Sequence, residues 1–143
     1  MTSTRRLSAI LAADVVGYSR LMQQDDQATV RALTGRRAIF AERVAAHRGR
    51  IVNAPGDSIL AEFPSVLDAV DCAVEIQTEI AARNAGVAEP EQRMQFRIGI
   101  NLGDVIVEGD DIHGDGVNIA DRLQGLAEPG GITISDVVRG AVR

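Results

Sequence analysis

The stretch Leu7 to Ser19, LSAILAADVVGYS, limits what this chain can fold into more than any other part of it. Leu7 to Val16 is a nearly continuous apolar run with branched residues, the pattern of a strand covered on both faces. Close to its end stands one carboxylate, Asp14. A buried strand has no structural use for an unpaired carboxylate, since burying the charge costs several kcal/mol or forces it to take up a proton. A cation would remove that cost. The following Val15-Val16-Gly17-Tyr18-Ser19 reads as a turn that opens a helix, whose amides and positive end suit the phosphates such a cation carries. A metal-nucleotide site is therefore the first expectation, and it needs a second carboxylate.

The candidate for that second group lies in Arg50 to Phe63, RIVNAPGDSILAEF, where two short apolar segments flank Pro55-Gly56-Asp57. Proline presets one turn dihedral and glycine supplies a positive one, so the segment predicts a hairpin with Asp57 at its tip. Taken alone, Asp57 needs no further explanation than the turn, and Asp14 serves equally well as a helix cap. Brought together, two carboxylates at a strand end repel each other unless a divalent ion lies between them.

The remaining elements decide whether they meet. Asp25 to His47 has helical spacing, with Asp25 or Asp26 as cap, Val30, Leu33, Phe40 and Val44 on one stripe, and Gly49 beyond the end. Ser65 caps a second helix, with Asp68 three residues on and Val66, Val70, Ala73, Val74, Gln77, Ile80 and Ala81 following. It ends near Asn84-Ala85-Gly86, and the charged, Pro90-containing segment to Arg93 reads as an exposed loop. Phe96, Ile98, Ile100 and Leu102 alternate with polar or small residues as a half-buried strand, Gly103-Asp104 reads as its turn, and Val105 to Val107 as its hairpin partner. A glycine-rich acidic loop, Glu108 to Gly116, leads to a helix over Val117 to Ala127, then a short strand, Ile132 to Ile134, and a helical segment capped by Ser135. The order predicts an α+β fold, a ferredoxin-like βαββαβ core with additional elements, with helices packed on one face of a mainly antiparallel sheet. That topology sets the first strand beside the hairpin, and Asp14 beside Asp57.

Composition narrows the function classes. A net charge of -5 in 143 residues argues against a general nucleic-acid binder. The single Cys72 excludes an internal disulfide and a cysteine-based zinc cluster, and makes a reducing cytoplasm the simplest location. Arg5-Arg6 before an apolar run imitates an export signal, but Asp14 follows with no convincing cleavage site. No segment reaches the roughly 18 apolar residues needed to span a bilayer, so membrane insertion is not expected of it.

A further constellation is GDGVNIADRL, Gly114 to Leu123. Asn118 and Arg122, four apart, project from one helix face, which alone describes an ordinary solvated surface. Gly114 and Gly116 before them allow close backbone approach to a ligand, and an arginine suits a transferring phosphoryl group. His47 and His113 read as surface residues, and no Ser-His-Asp or Cys-His arrangement is evident.

Taken together, AADVVGYSRL, NAPGDSILAEF, RIGINLGDVIV and DIHGDGVNIADRL resemble, in order and from about Leu7 to the end, the catalytic domain of class III adenylyl and guanylyl cyclases. The resemblance implies that Asp14, Asp57 and the Val15 carbonyl hold two magnesium or manganese ions, and that the amides of Val16, Gly17, Tyr18 and Ser19 hold a triphosphate. It implies that Asn118 positions the ribose, Arg122 stabilises charge at the reacting phosphate, and Asp111 accepts from the adenine amino group. The implied reaction is attack of the ribose 3′-hydroxyl on the α-phosphorus of ATP, giving cyclic AMP and pyrophosphate, at a site shared across a head-to-tail homodimer.

Two departures from the family pattern bear on this. Asn53 stands where these cyclases usually carry a purine-reading lysine, and its amide serves adenine N1 or guanine O6, so GTP is a possible second substrate. In family members a phosphate-contacting lysine lies further along, in a segment this chain does not reach, so the sequence reads as a catalytic domain truncated at its C-terminus, a fragment of a longer protein. A non-catalytic cyclase-like dimerisation or nucleotide-sensing module is the alternative, favoured by those two departures. A diguanylate synthase is disfavoured because the GGDEF-like acidic turn is missing.

Overall fold

The computed structural model of the chain describes residues 4–142. Its elements run β1 (Thr4–Val15), α1 (Tyr18–Gln24), α2 (Asp26–Ala46), β2 (Arg50–Asn53), β3 (Ile59–Phe63), α3 (Val66–Ala85), a 3-10 turn at Pro90–Gln92, β4 (Phe96–Glu108), β5 (Asp111–His113), α4 (Asp115–Leu126), β6 (Ile132–Ile134) and α5 (Asp136–Ala141). The apolar run forms the middle strand of an antiparallel path β2-β3-β1-β4-β5, with β6 joining β4 in parallel. The α+β architecture and the placement of the first strand beside the hairpin are as the sequence predicts. Ala13 of β1 lies opposite Ile59 of β3, so the turn that precedes β3 arrives next to Asp14.

Side chains of a strand alternate between faces, and β1 sorts its residues accordingly. Ala9, Leu11, Ala13 and Val15 enter the larger core with Phe40, Val44, Ile76 and Phe96. Ile10 and Ala12 face the other way, into a smaller cluster with Val105, Ile112 and Ala120. In the larger core the Phe40 and Phe96 rings are 5.0 Å apart and tilted by 53°, a favourable aromatic arrangement that ties α2 to β4.

Helices were expected on one face of the sheet, and α4 corrects this by lying on the other. Two glycines permit its close approach. A Cβ on Gly99 would stand 2.3 Å from the Gln124 nitrogen and 2.4 Å from the Ala120 oxygen, and one on Gly116 would stand 2.6 Å from the Asp104 oxygen. The same packing explains a second correction. Gly103-Asp104 makes no turn, because β4 continues through it to Glu108 and the hairpin turns at Gly109-Asp110 into β5. Gly103 serves the helix instead: a Cβ there would approach the Gly116 Cα to 3.2 Å.

Local chemistry sets the helix starts. The Asp25 side chain accepts from the Ala28 amide at 3.0 Å, and its extended backbone separates α1 from α2. Ser65 accepts from the Asp68 amide at 3.1 Å while its hydroxyl donates to the Asp68 carboxylate at 2.9 Å. Ser135 caps α5 through the Val138 amide. Val30 and Val74, assigned to buried stripes, are instead 49% and 51% exposed. At the end of α2 it is Arg48, not Gly49, that takes the left-handed conformation; Gly49 is needed because a Cβ would stand 2.6 Å from the Phe63 ring.

Candidate active site

Asp14 is the penultimate residue of β1 and belongs to the face that also presents Ile10 and Ala12. Asp57 sits in a turn closed by the Ser58 amide donating to the Pro55 carbonyl at 2.9 Å. Gly56, with φ +56°, occupies the second position of that turn and Asp57 the third, one residue along from the simplest Pro-Gly expectation. The register carries Asp57 to Asp14, and the two carboxyl groups come within hydrogen-bonding reach. Burial first, then the hydrogen bond and the charge of Asp57, push the Asp14 carboxyl up to about 7; the charge of Asp121 on α4 adds to this, and the Val15 amide, 3.0 Å from the Asp14 Oδ1, opposes it.

Two half-buried carboxyl groups set against each other form a donor pair that a hard divalent cation neutralises. Among the described residues no cluster of three or more His, Cys, Asp or Glu side chains has metal-holding geometry. The pair thus fits an ion completed by a backbone carbonyl such as that of Val15, by water and by substrate phosphate, which is how magnesium is usually held.

The start of α1 supplies amides beside this pair. Gly17 takes a left-handed conformation, φ +63°, and the first helical bond is Leu21 N–H to its carbonyl at 3.1 Å. The amides of Gly17, Tyr18 and Ser19 therefore have no intrahelical acceptor. Val16 departs from expectation: its amide donates to the Gln95 carbonyl at 2.8 Å, so it is spent on holding the end of β1 and does not point at a phosphate.

Asn53, at the end of β2, and Asn118, on α4, line a common cleft of about 260 Å³ with Ala12, Ser58 and Asp121. Arg122 stands on the same exposed side of α4 as Asn118, in the company of exposed Ile119 and Leu126. Asp111 opens β5, where its carboxylate accepts from the Ile112 amide at 2.9 Å, and it is not among the residues lining that cleft. Within this chain the structure thus unites Asp14 with Asp57 and Asn53 with Asn118, while Arg122 and Asp111 stand apart from both pairs. A larger cavity, about 490 Å³, lies by the start of α4 between Arg5, Asp104 and Val137; Gly114 and Gly116 line it, but none of the candidate metal or nucleotide residues does.

Three features escape the sequence reading. Glu62, buried on β3, accepts from Ser8 at 2.9 Å and pairs with Arg50 at 2.7 Å and with Arg6. Its burial favours the neutral acid, but Ser8, Arg50 and Arg6 outweigh that and hold the carboxyl below the usual range. Arg37 of α2 reaches the carbonyls of the Asp57 turn. Asp121 shares the cleft with the two asparagines. Only its position beside Arg122 in the sequence hinted at the last, and Arg37 is one of four arginines on its helix with nothing to distinguish it. His113 is exposed as expected, whereas His47 is half-buried and lies 3.0 Å from Glu75 of α3. Among the described residues no helix is long and apolar enough to cross a membrane.

With this geometry in place, comparison with known proteins gives consistent results. Residues 3–142 match the family described as the adenylate and guanylate cyclase catalytic domain. The chain is 47% identical over 133 residues to "Putative adenylate cyclase 3" of Rhizobium meliloti (strain 1021), which covers 92% of this chain and 22% of that protein. The crystal structure of an adenylate/guanylate cyclase/hydrolase from Silicibacter pomeroyi superposes with a TM-score of 0.88 at 44% identity, covering 97% of this chain and 81% of that one. The crystal structure of the guanylyl cyclase Cya2 gives a TM-score of 0.88 at 28% identity, covering all of this chain and 81% of that one. The chain spans about a fifth of the length of the Rhizobium protein.

Proposed function

The chain belongs to the adenylate and guanylate cyclase catalytic domain family, and from that premise we propose that it converts ATP to 3′,5′-cyclic AMP and pyrophosphate. The observation that carries the proposal is the meeting of Asp14 with Asp57. These carboxylates and the Val15 carbonyl hold the divalent ions, magnesium or manganese. When bound, two such ions activate the ribose 3′-hydroxyl and neutralise the departing phosphates. The amides of Gly17, Tyr18 and Ser19 orient the triphosphate. Asn118 positions the ribose, and Arg122 takes up charge developing at the α-phosphorus. No protein nucleophile is involved.

Asn53 and Asp111 read the base. GTP is the second substrate reading, because the Asn53 amide donates to guanine O6 as readily as it serves adenine N1. Asn118 and Arg122 act on nucleotide whose metals are held by a partner copy, in a head-to-tail homodimer. Support for this comes from the exposed side of α4, where Arg122 lies near Ile119, 39% exposed, and Leu126, 76% exposed. The domain is placed in the cytoplasm, where its nucleotide substrate is found.

The test is incubation of the full-length protein with manganese and ATP or GTP, with the cyclic products resolved by chromatography. Cyclic AMP as the main product is the expected result, and absence of any cyclic nucleotide contradicts the proposal in favour of a non-catalytic module. Mixing Asp14→Ala and Arg122→Ala chains, each inactive alone, should restore about a quarter of the parental rate at random pairing. No recovery would overturn the shared site.

A further inference from the structure

The turn that carries Asp57 has little of its own to hold it. Between β2 and β3 the segment 54–58 is outside the strands, its internal bond is Ser58 N–H to the Pro55 carbonyl, and Pro55 has no amide to donate. It must nevertheless keep one carboxylate facing another, a contact that repels in the absence of a cation. No sheet partner holds the carbonyls of this loop, and α2 supplies a donor to two of them. The Nη2 of Arg37 donates to the Ala54 carbonyl at 3.0 Å and to the Gly56 carbonyl, bracketing Pro55.

The anchor behind this grip is buried. The preceding residue, Arg36, is buried and donates to Asn84 of α3 at 3.0 Å, and one turn further on Phe40 is fully buried in the larger core. The Arg37 Nε is buried with no hydrogen-bond partner among the described residues, so the side chain accepts an unsatisfied donor in order to place its Nη2 on the turn. Both contacts go to main-chain oxygens and not to a carboxylate. An arginine paired with Asp57 would neutralise it and compete with a metal. One bonded to the backbone on either side of Pro55 sets the position of the carboxylate and leaves its charge available.

We propose that Arg37 is a positioning residue for the proposed reaction: it fixes the Asp57 turn from α2 through the Ala54 and Gly56 carbonyls, so that Asp57 is presented to the divalent ion in place. This rests on the metal-holding reading of Asp57. Both contacts come from one nitrogen, which a lysine ammonium also offers but on a more flexible, more strongly hydrated stem, so lysine replaces the function only in part.

The experiment compares the parent, Arg37→Ala, Arg37→Lys and Asp57→Ala in three measurements: amide hydrogen exchange of the metal-free protein, manganese affinity from titration of Mn²⁺ alone followed by electron paramagnetic resonance, and turnover as a function of manganese. In Arg37→Ala the amides of residues 56–58 should exchange roughly tenfold faster while those of β1 and β4 are unchanged. The dissociation constant for Mn²⁺ should rise roughly tenfold and kcat at saturating manganese should stay within about twofold of the parent, with Arg37→Lys between the two. Unchanged exchange in the turn, unchanged Mn²⁺ affinity, or faster exchange throughout the domain would each overturn the proposal. Asp57→Ala separates the two claims: parental Mn²⁺ binding in that variant overturns the metal reading itself, whereas lost binding there with unaltered Arg37→Ala overturns the role of Arg37 alone.

Discussion

The two faces of the sheet are built to different ends, and β1 contributes to both. Toward α2 and α3 it presents Ala9, Leu11, Ala13 and Val15, in contact with a large apolar cluster. Toward the other side it presents Arg6, Ser8, Ile10, Ala12 and finally Asp14, and that side is closed only in part, by α4 and β5. The first face supplies the burial that keeps the domain folded. The second holds the ionic cluster around Glu62, the asparagine-lined cleft and the paired carboxyl groups. An alternating strand thus lets one residue in two be chosen for packing and the other for chemistry, and Asp14 can be set against Asp57 without opening the core.

The contrast can be broken by substitution. Phe40→Ala should remove about 3–5 kcal/mol of stability, read from denaturant unfolding, and leave turnover per folded molecule near the parental value. Asp57→Ala should lower turnover by on the order of 10³-fold and, by removing a like-charge contact, leave the unfolding midpoint unchanged or higher. If Asp57→Ala unfolds the domain, or Phe40→Ala abolishes catalysis in molecules that remain folded, the faces do not divide the work in this way.

A smaller effect concerns the polar half of the second face. Glu62 titrates below the usual carboxylate range in the folded chain, so the folded state binds this proton more weakly than the unfolded one does. Its stabilisation is therefore present above the unfolded pKa and is lost as pH falls through the lower, folded value. Glu62→Gln should cost about 1–2 kcal/mol at neutral pH and make the acid limb of the stability curve shallower. An acid limb with unchanged slope would show that Glu62 does not carry this dependence. The smallest effect is expected at the rim, where Asn53→Lys should raise the preference for ATP over GTP by about tenfold in kcat/KM. An unaltered ratio would show that this position does not read the base.

The same division explains which parts of the molecule were legible in the sequence. Caps at Asp25, Ser65 and Ser135, the turn at Pro55-Gly56-Asp57 and the apolar strand are written in contiguous residues, whose chemistry decides local conformation without help from the rest of the fold. From these the proximity of Asp14 and Asp57 follows through topology. Glycine was misleading where its use is steric. Gly103 reads as a turn residue next to Asp104, yet it lies within β4 and leaves room for Gly116 of α4. Periodicity indicates that a helix has an apolar side but not which face of the sheet that side covers, and α4 covers the face opposite α2 and α3. The Val16 amide, the Arg37 grip and the Glu62 cluster depend on partners far along the chain, Gln95, Gly56 and Arg6 among them, and no local pattern marks them.

Joint binding of a divalent ion by Asp14 and Asp57 is open to direct test by anomalous diffraction from crystals grown with manganese and a non-hydrolysable ATP analogue. Joint binding gives an anomalous peak at about 2.0–2.4 Å from a carboxylate oxygen of each residue. Well-ordered nucleotide with no such peak between them, or with manganese bound elsewhere, would contradict it.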